Sequence, residues 1–267
     1  MQKTIFITGA STGLGKATAK LFQAKGWNVI ATMRDPEKET ELRQLSNVTI
    51  LKLDVTDIEQ IKSVVAAAVS IHSIDVVFNN AGYGLIAPFE SLSDEQIVKQ
   101  IETNLLGVLR VTNEFIPHFR EKKAGIFITT TSMGGFIGFP ISSVYHAAKF
   151  GLEGWSESLS HELSLFNVQV KTIAPGGILT DFSGRSLDTN SHDSYKELET
   201  KMFEGIDGMM KNASTAEKIA EIVYEAATDG KDQVRYLAGE DAEAIYARQL
   251  EIGTEEMRKE IRTQMVG

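Results

Sequence analysis

The chain contains no cysteine. Disulfides, thiolate metal sites and a cysteine nucleophile are therefore excluded, and the absence fits a reducing compartment. Basic charge is in deficit: 27 Lys and Arg stand against 36 Asp and Glu, a formal net charge of −9. That balance argues against a nucleic-acid protein, which usually shows a basic face. No uninterrupted apolar run approaches the ~18 residues of a membrane-spanning helix. The start, Met1-Gln2-Lys3-Thr4-Ile5-Phe6-Ile7-Thr8, passes straight into a strand-like run. It lacks the charged region, apolar stretch and cleavage site of a signal peptide. These absences predict a soluble cytoplasmic protein. Histidine and glutamate at metal-helix spacing are missing too. His118, His146, His161 and Asp181 form no such set, so no metal is expected. There is no internal repeat and no low-complexity linker.

What is present is ordinary globular sequence: 267 residues, 42% hydrophobic and 24% charged. That is enough chain for one large α/β domain with a substantial core. Short β-branched runs read as strands at Thr4–Ile7, Asn28–Thr32, Val48–Leu53, Asp75–Phe78, Gly125–Thr130, Val168–Ile173 and Val234–Leu237. Helical periodicity fills the intervals at Gly13–Lys25, Asp57–His72, Asp94–Phe119, Val144–Phe166 and Ala216–Ala227. Such alternation predicts right-handed βαβ crossovers and a parallel sheet covered on both faces. The unbroken apolar character of Val76-Val77-Phe78 and Ile126-Phe127-Ile128 suits strands buried on both sides. Leu179–Met210 reads as the longest irregular stretch, with Phe182, Leu187, Phe203, Met209 and Met210 among Ser, Gly, Asp and Thr. Long irregular segments in compact domains are usually lids, binding loops or disordered chain. The tail Glu240–Met265 is charged and helix-prone.

Two local patterns bear on chemistry. Thr8-Gly9-Ala10-Ser11-Thr12-Gly13-Leu14-Gly15 follows the first strand and opens the first helix. Glycines there allow a tight turn and close backbone approach, and the helix start supplies free N–H groups to a pyrophosphate. The spacing is three residues then one, not Gly-x-Gly-x-x-Gly, and a purely structural turn is the alternative. The second pattern is Tyr145-His146-Ala147-Ala148-Lys149, which opens the fourth helical pattern. Residues four apart share a helix face. A phenol titrates near pKa ~10, and a fixed ammonium nearby favours the phenolate and lowers that value. The bland alternative is an amphipathic tyrosine and a solvated lysine.

The order of motifs resembles the short-chain dehydrogenase/reductase family. Thr8-Gly-x-x-x-Gly-x-Gly15 is similar to its cofactor turn. Asn79-Asn80-Ala81-Gly82, Asn104 in the following helix, Ser132 thirteen residues before Tyr145, and Pro175-Gly176-Gly177-Ile178-Leu179-Thr180 are similar to its later motifs. The resemblance implies a single Rossmann-type, doubly wound parallel sheet of about seven strands over 1–267. It makes 179–212 a substrate-binding lid and 240–267 a C-terminal helical extension. It implies hydride exchange between a nicotinamide and a carbonyl or secondary alcohol. Tyr145 would be the general acid and base, Ser132 the substrate anchor, Lys149 the group that lowers the phenol and holds the ribose, and Asn104 the holder of a relay water. Gly9, Ser11, Thr12, Gly13, Leu14, Gly15, Arg34, Asp54, Val55, Asn80, Ala81, Gly82, Tyr145, Lys149, Pro175, Gly176, Ile178 and Thr180 would contact the cofactor. Taken alone, Ser132 can equally cap the segment after its strand, Asn104 can be an interior amide, and Asp54 an N-cap-like loop residue.

At the end of the second strand the resemblance places Met33 where NAD enzymes carry an acid, followed by Arg34. A carboxylate would repel a 2′-phosphate, whereas an arginine attracts it. NADP(H) is therefore expected over NAD(H), although Asp35 adjoins Arg34 and Thr12 stands where many NADP-using relatives have a second basic residue. Phe136, Ile137 and Phe139, with the Phe and Met residues of the lid, either wall a lipophilic pocket or pack the lid. Family members are commonly dimers or tetramers paired through Asp94–Phe119 and Val144–Phe166. A regulatory dinucleotide-binding protein without turnover, and an epimerase or dehydratase on the same fold, are the alternatives to an oxidoreductase.

Overall fold

The computed structural model describes residues 2–180 and 186–266. Seven strands form its central sheet: β1 (Thr4–Ile7), β2 (Asn28–Met33), β3 (Val48–Lys52), β4 (Val76–Asn79), β6 (Gly125–Thr130), β7 (Val168–Pro175) and β11 (Arg235–Ala238). Their order is β11-β7-β6-β4-β1-β2-β3, and every neighbouring pair is parallel. The chain leaves β1 toward β2 and β3, then returns to place β4 on the other side of β1. That reversal opens a crevice at the carboxyl ends of β1 and β4, where ligands of open α/β sheets bind.

Strand residues alternate between two apolar layers, as the two-residue pleat requires. Ile5 and Ile7 join a cluster with Phe22 of α1 (Gly13–Ala24) and Ile219 and Val223 of α7 (Ala216–Thr228). Phe6 between them faces the other way, against Ile61 of α2 (Ile58–Ile71), Phe115 and Phe119 of α4 (Gly107–Lys122) and Leu159 of α5 (Ser143–Ser164). The Phe6 and Phe115 rings meet edge-on at 4.9 Å. Each such fully buried side chain contributes about 1.5–3 kcal/mol. Two layers of this kind account for the apolar run Val76-Val77-Phe78, buried on both sides.

Two expectations are corrected. Asp94–Phe119 is not one regular helix: α3 (Asp94–Ile101) passes through a π turn at Glu102–Leu106 before α4. The 179–210 stretch is not irregular throughout. It contains β8 (Ile178–Leu179) at its start, β9 (Leu187–Thr189) and the four-turn helix α6 (Lys196–Met210). Gly205 and Gly208 mask that helix in the sequence, because glycine is a poor helix former. β8 pairs with β10 (Ser214–Thr215), and β9 pairs with β5 (Gly84–Ile86), so the segment is fastened at its start and again at Leu187–Thr189. Asp181 and Phe182 lie outside the described residues. The charged tail folds as α8 (Glu240–Ile252) and α9 (Thr254–Met265), joined at Gly253 with φ 82°. No described helix is long and apolar enough to cross a membrane.

Candidate active site

The glycine turn after β1 is locked from beneath. The Thr8 hydroxyl accepts hydrogen bonds from the Asn80 and Ala81 N–H groups at 2.9 and 3.0 Å. The Asn80 amide donates to the Thr8 and Gly9 carbonyls at 3.2 and 3.1 Å. Gly9 and Gly13 have φ of 68° and 53°, values open to glycine and costly for other residues. A side chain at Gly15 would collide with the Gly9 carbonyl and the Asn80 amide, so Gly15 brings α1 against the turn from behind and does not line the cleft. Thr12 caps α1 without a side-chain bond, and the first turn holds no acid. The free N–H groups and positive end of that helix thus face the crevice, a fit for a pyrophosphate.

The π turn places Asn104. Its Oδ1 accepts from the Tyr83 N–H at 3.0 Å and its Nδ2 donates to the Tyr83 carbonyl at 2.7 Å. Asn104 is 1% exposed, and a Cβ on Gly82 would press against it. One wider turn rotates the amide onto Tyr83, a use of π geometry frequent at functional sites.

Ser132 follows β6, and Tyr145 and Lys149 occupy successive turns at the start of α5. The Ser132 hydroxyl hydrogen-bonds the Tyr145 phenol and accepts from the Gly134 N–H at 3.0 Å. Burial pushes the Tyr145 phenol above its ordinary range, and the Ser132 bond opposes that rise. The expectation that Lys149 lowers the phenol is not met in this geometry. Lys149 turns its Nζ to the Thr130 carbonyl at 2.8 Å and lies 5.7 Å from the Tyr145 ring centre. Burial lowers Lys149 itself to about 8, against the raising effect of Glu153 one turn further along α5. Glu153 is held by Arg235 of β11 at 2.8 Å.

At the far end of the crevice, Met33 and Arg34 close β2, beside Asp54 and Val55. Asp35 pairs with Lys38 at 2.9 Å, and the Arg34 charge acts on its carboxylate more weakly than Lys38 does. The Asp54 Oδ1 accepts from the Thr56 N–H and hydroxyl at 3.0 and 2.8 Å, and Asp57 is the residue that caps α2. Asp54 nonetheless lines the cleft. Gly9, Ser11, Thr12, Gly13, Leu14, Arg34, Val55, Asn80, Ala81, Gly82, Asn104, Ser132, Tyr145, Lys149, Pro175, Gly176, Ile178 and Thr180 line the same cavity of about 1010 Å³. A volume of that size accommodates a dinucleotide and a second molecule. The outer wall is Ile86, Phe139, Met202, Phe203, Ile206, Met209, Met210 and Met265, with Lys99 and Asp188 at the same cleft.

Sequence reasoning missed Tyr83, whose backbone anchors Asn104, and undervalued His146, whose two ring nitrogens meet backbone atoms. Neither carries a motif signal, since backbone partners leave no trace in side-chain spacing. Among the described residues no group of three or more His, Asp or Glu side chains could hold a metal ion.

Residues 3–191 match the short chain dehydrogenase family. An oxidoreductase of Schizosaccharomyces pombe is 37% identical over 209 residues, 78% of this chain and 89% of the relative. A short-chain dehydrogenase from Streptomyces avermitilis superposes with a TM-score of 0.84 at 28% identity, covering 94% of this chain and 95% of that one. ElxO with NADP bound superposes at 0.75 with 26% identity, covering 89% and 98%. The glycine turn at the switch point, the serine, tyrosine and lysine beside it, and this likeness along the chain have one reading: the protein belongs to the short-chain dehydrogenase family and is an NAD(P)-dependent oxidoreductase.

Proposed function

We propose that the protein binds NADP(H) and exchanges a hydride with a bulky, lipophilic carbonyl compound or secondary alcohol, with Tyr145 as the proton-transferring group. The observation that carries this reading is the junction of Ser132 and Tyr145 within one hydrogen bond, on the cleft that the glycine turn opens. When bound, the nicotinamide supplies or accepts the hydride. Gly9, Ser11, Thr12, Gly13 and Leu14 hold the phosphates by backbone N–H groups, and Asn80, Ala81, Gly82, Pro175, Gly176, Ile178 and Thr180 hold the rest of the cofactor in place. Ser132 orients the substrate oxygen. Tyr145, kept protonated by burial, donates its proton to that oxygen as charge grows there during reduction, and takes it back during oxidation. Lys149 binds the nicotinamide ribose hydroxyls. Once its ammonium turns toward them, the positive charge favours phenolate and offsets part of the burial effect. Asn104 holds a water toward Lys149 with the lone pair and N–H that Tyr83 leaves unused.

Arg34 at the adenosine end supports the phosphorylated cofactor, because Asp35 is already paired with Lys38. NADP bound in ElxO is consistent with that choice. The apolar outer wall supports a lipophilic substrate. Pairing through α3, α4 and α5 into a dimer or tetramer is supported by exposed Val98 and Phe150, and light scattering tests it.

NADPH oxidation is followed against a panel of lipophilic ketones and aldehydes. Turnover that disappears in Tyr145→Phe with cofactor affinity retained supports the reading. NADPH binding without turnover across the panel would instead indicate a regulatory protein. Lys149→Ala lowers both NADPH affinity and kcat; unchanged affinity would sink its ribose role.

A further inference from the structure

The buried histidine beside the catalytic tyrosine is not used by the mechanism above. His146 is 8% exposed. Its Nδ1 lies 2.7 Å from the Gly134 carbonyl. Its Nε2 lies 2.9 Å from the Phe139 backbone nitrogen, which donates. An N–H group can only donate, so Nε2 must be the unprotonated nitrogen. A carbonyl can only accept, so Nδ1 must carry the proton. Both contacts are satisfied by one species alone, the neutral Nδ1–H imidazole. Burial acts the same way, lowering the tendency of His146 to take a second proton.

The two backbone groups lie at opposite ends of the segment after β6. Gly134 donates its N–H to the Ser132 hydroxyl at 3.0 Å, and Ser132 hydrogen-bonds Tyr145. Phe139 lines the outer, apolar part of the cleft. A Cβ on Gly134 would come within 3.0 Å of the His146 ring and 3.3 Å of the Tyr145 ring, so the three are in tight register. Residues 132–139 carry no titratable side chain that could substitute for this clamp.

We propose that His146 is a positioning residue with two separable outputs: through Gly134 it sets the Ser132 hydroxyl against Tyr145, and through Phe139 it sets the substrate wall. The inference rests on the proposed carbonyl reduction for its kinetic meaning, but its structural half does not. A satisfied core histidine would stabilise the fold without splitting kcat from KM. A positioning histidine splits them, because asparagine reproduces one contact and not the other. The short amide N–H of Asn reaches the Gly134 carbonyl, while the Phe139 N–H stays out of reach.

The full-length protein labelled with 15N-histidine is studied near neutral pH, and reduction of benzaldehyde and decanal by NADPH is measured for wild type, His146→Ala and His146→Asn. The expected spectrum shows His146 as the Nδ1–H tautomer. Amide exchange at Phe139 is expected to speed up about tenfold or more in both variants. His146→Ala is expected to lose about tenfold in kcat, with decanal KM raised and NADPH affinity unchanged. His146→Asn is expected to recover most of kcat and to keep the raised decanal KM. A proton on Nε2, or Phe139 exchange unchanged in His146→Ala, would overturn the clamp whatever the turnover. Variants with wild-type kcat and KM would overturn the positioning role, as would equal losses in Ala and Asn. If wild type reduces neither aldehyde, the proposed function fails for these probes, and the tautomer and exchange data decide the clamp by themselves.

Discussion

Tyr145 is half-buried beside Ser132, and desolvation and Ser132 act on its proton with opposite signs. Burial holds the phenol above its ordinary value, so it remains protonated, the form an acid catalyst of reduction needs. The Ser132 bond stabilises phenolate and opposes burial, so removing it must move the titration further up. In cofactor-free protein the Tyr145 contribution, isolated as the difference from Tyr145→Phe, is expected to ionise only above about pH 10. In Ser132→Ala it should ionise at still higher pH; a downward move would contradict the assignment. Tyr145→Phe itself should lower kcat by about 10²–10⁴ with NADPH affinity unchanged. At the other end of the cleft, Arg34→Ala and Met33→Asp should each move the NADPH/NADH ratio of kcat/KM toward NADH by about tenfold, or about 1.4 kcal/mol. A ratio unmoved in both variants would remove Arg34 as the discriminating group.

Elements show a different economy of polar groups, with the sheet and α7 joined by one buried charge. Lys171 of β7 is 1% exposed, and its Nζ donates to the Ala226 carbonyl, Asp229 and the Tyr236 hydroxyl at 2.8, 2.9 and 3.0 Å. Burial alone would raise the Asp229 carboxyl, but the bonds from Lys171 and Tyr236 outweigh it and hold it down at about 2, from 3.8. A depressed folded value gives stability that is complete above the unfolded value and disappears as pH falls through the folded one. The shift amounts to about 2 kcal/mol. Urea unfolding of wild type and Asp229→Asn should therefore differ by a constant amount above about pH 4, and the gap should close toward about pH 2. Asp229→Ala should cost about 3–5 kcal/mol near neutral pH, because it leaves the Lys171 ammonium buried without its counter-charge. The β-branched and apolar runs of the chain made every strand of the central sheet legible, most clearly where a strand covered on both faces is apolar without interruption, as in Val76-Val77-Phe78. The glycine turn, Ser132, Tyr145 and Lys149 were legible because their spacing is local or fixed by strand ends. Lys171 was not, since its partners lie on β11, in the last turn of α7 and just past it. The π turn at Asn104 was not, since a side chain held by the Tyr83 backbone leaves the apolar period unaltered. The helix α6 was hidden by its own glycines, and the strands β5, β8, β9 and β10 by being two or three residues long.

Across the whole molecule, the C-terminal helices reach both halves of the site. Met257 and Ile261 of α9 pack with Met133, Phe136 and Ile137 after Ser132. Gln249 of α8 donates to the Phe136 carbonyl at 2.8 Å. Asp241 accepts from the Gly177 N–H at 2.6 Å and packs against Gly176, on the strand end expected beside the nicotinamide. Met265 meets Gly205 of α6 and lines the cleft itself. Under the proposed function, the extension would have two separable influences, on the floor proposed to hold the cofactor and on the wall proposed to receive substrate. Met265 belongs to the wall. Met265→Ala should leave NADPH affinity within about twofold while raising KM for decanal more than for benzaldehyde, since the longer chain uses the outer cleft. Asp241→Ala acts on the floor: it frees the Gly177 N–H and should weaken NADPH binding without that selectivity between aldehydes. Fluorescence titration with NADPH and steady-state kinetics on both aldehydes separate the two. A Met265→Ala protein that loses cofactor affinity, with both KM values unchanged, would place α9 under the cofactor floor and leave the substrate side, among the described residues, to α6, Ile86 and Phe139.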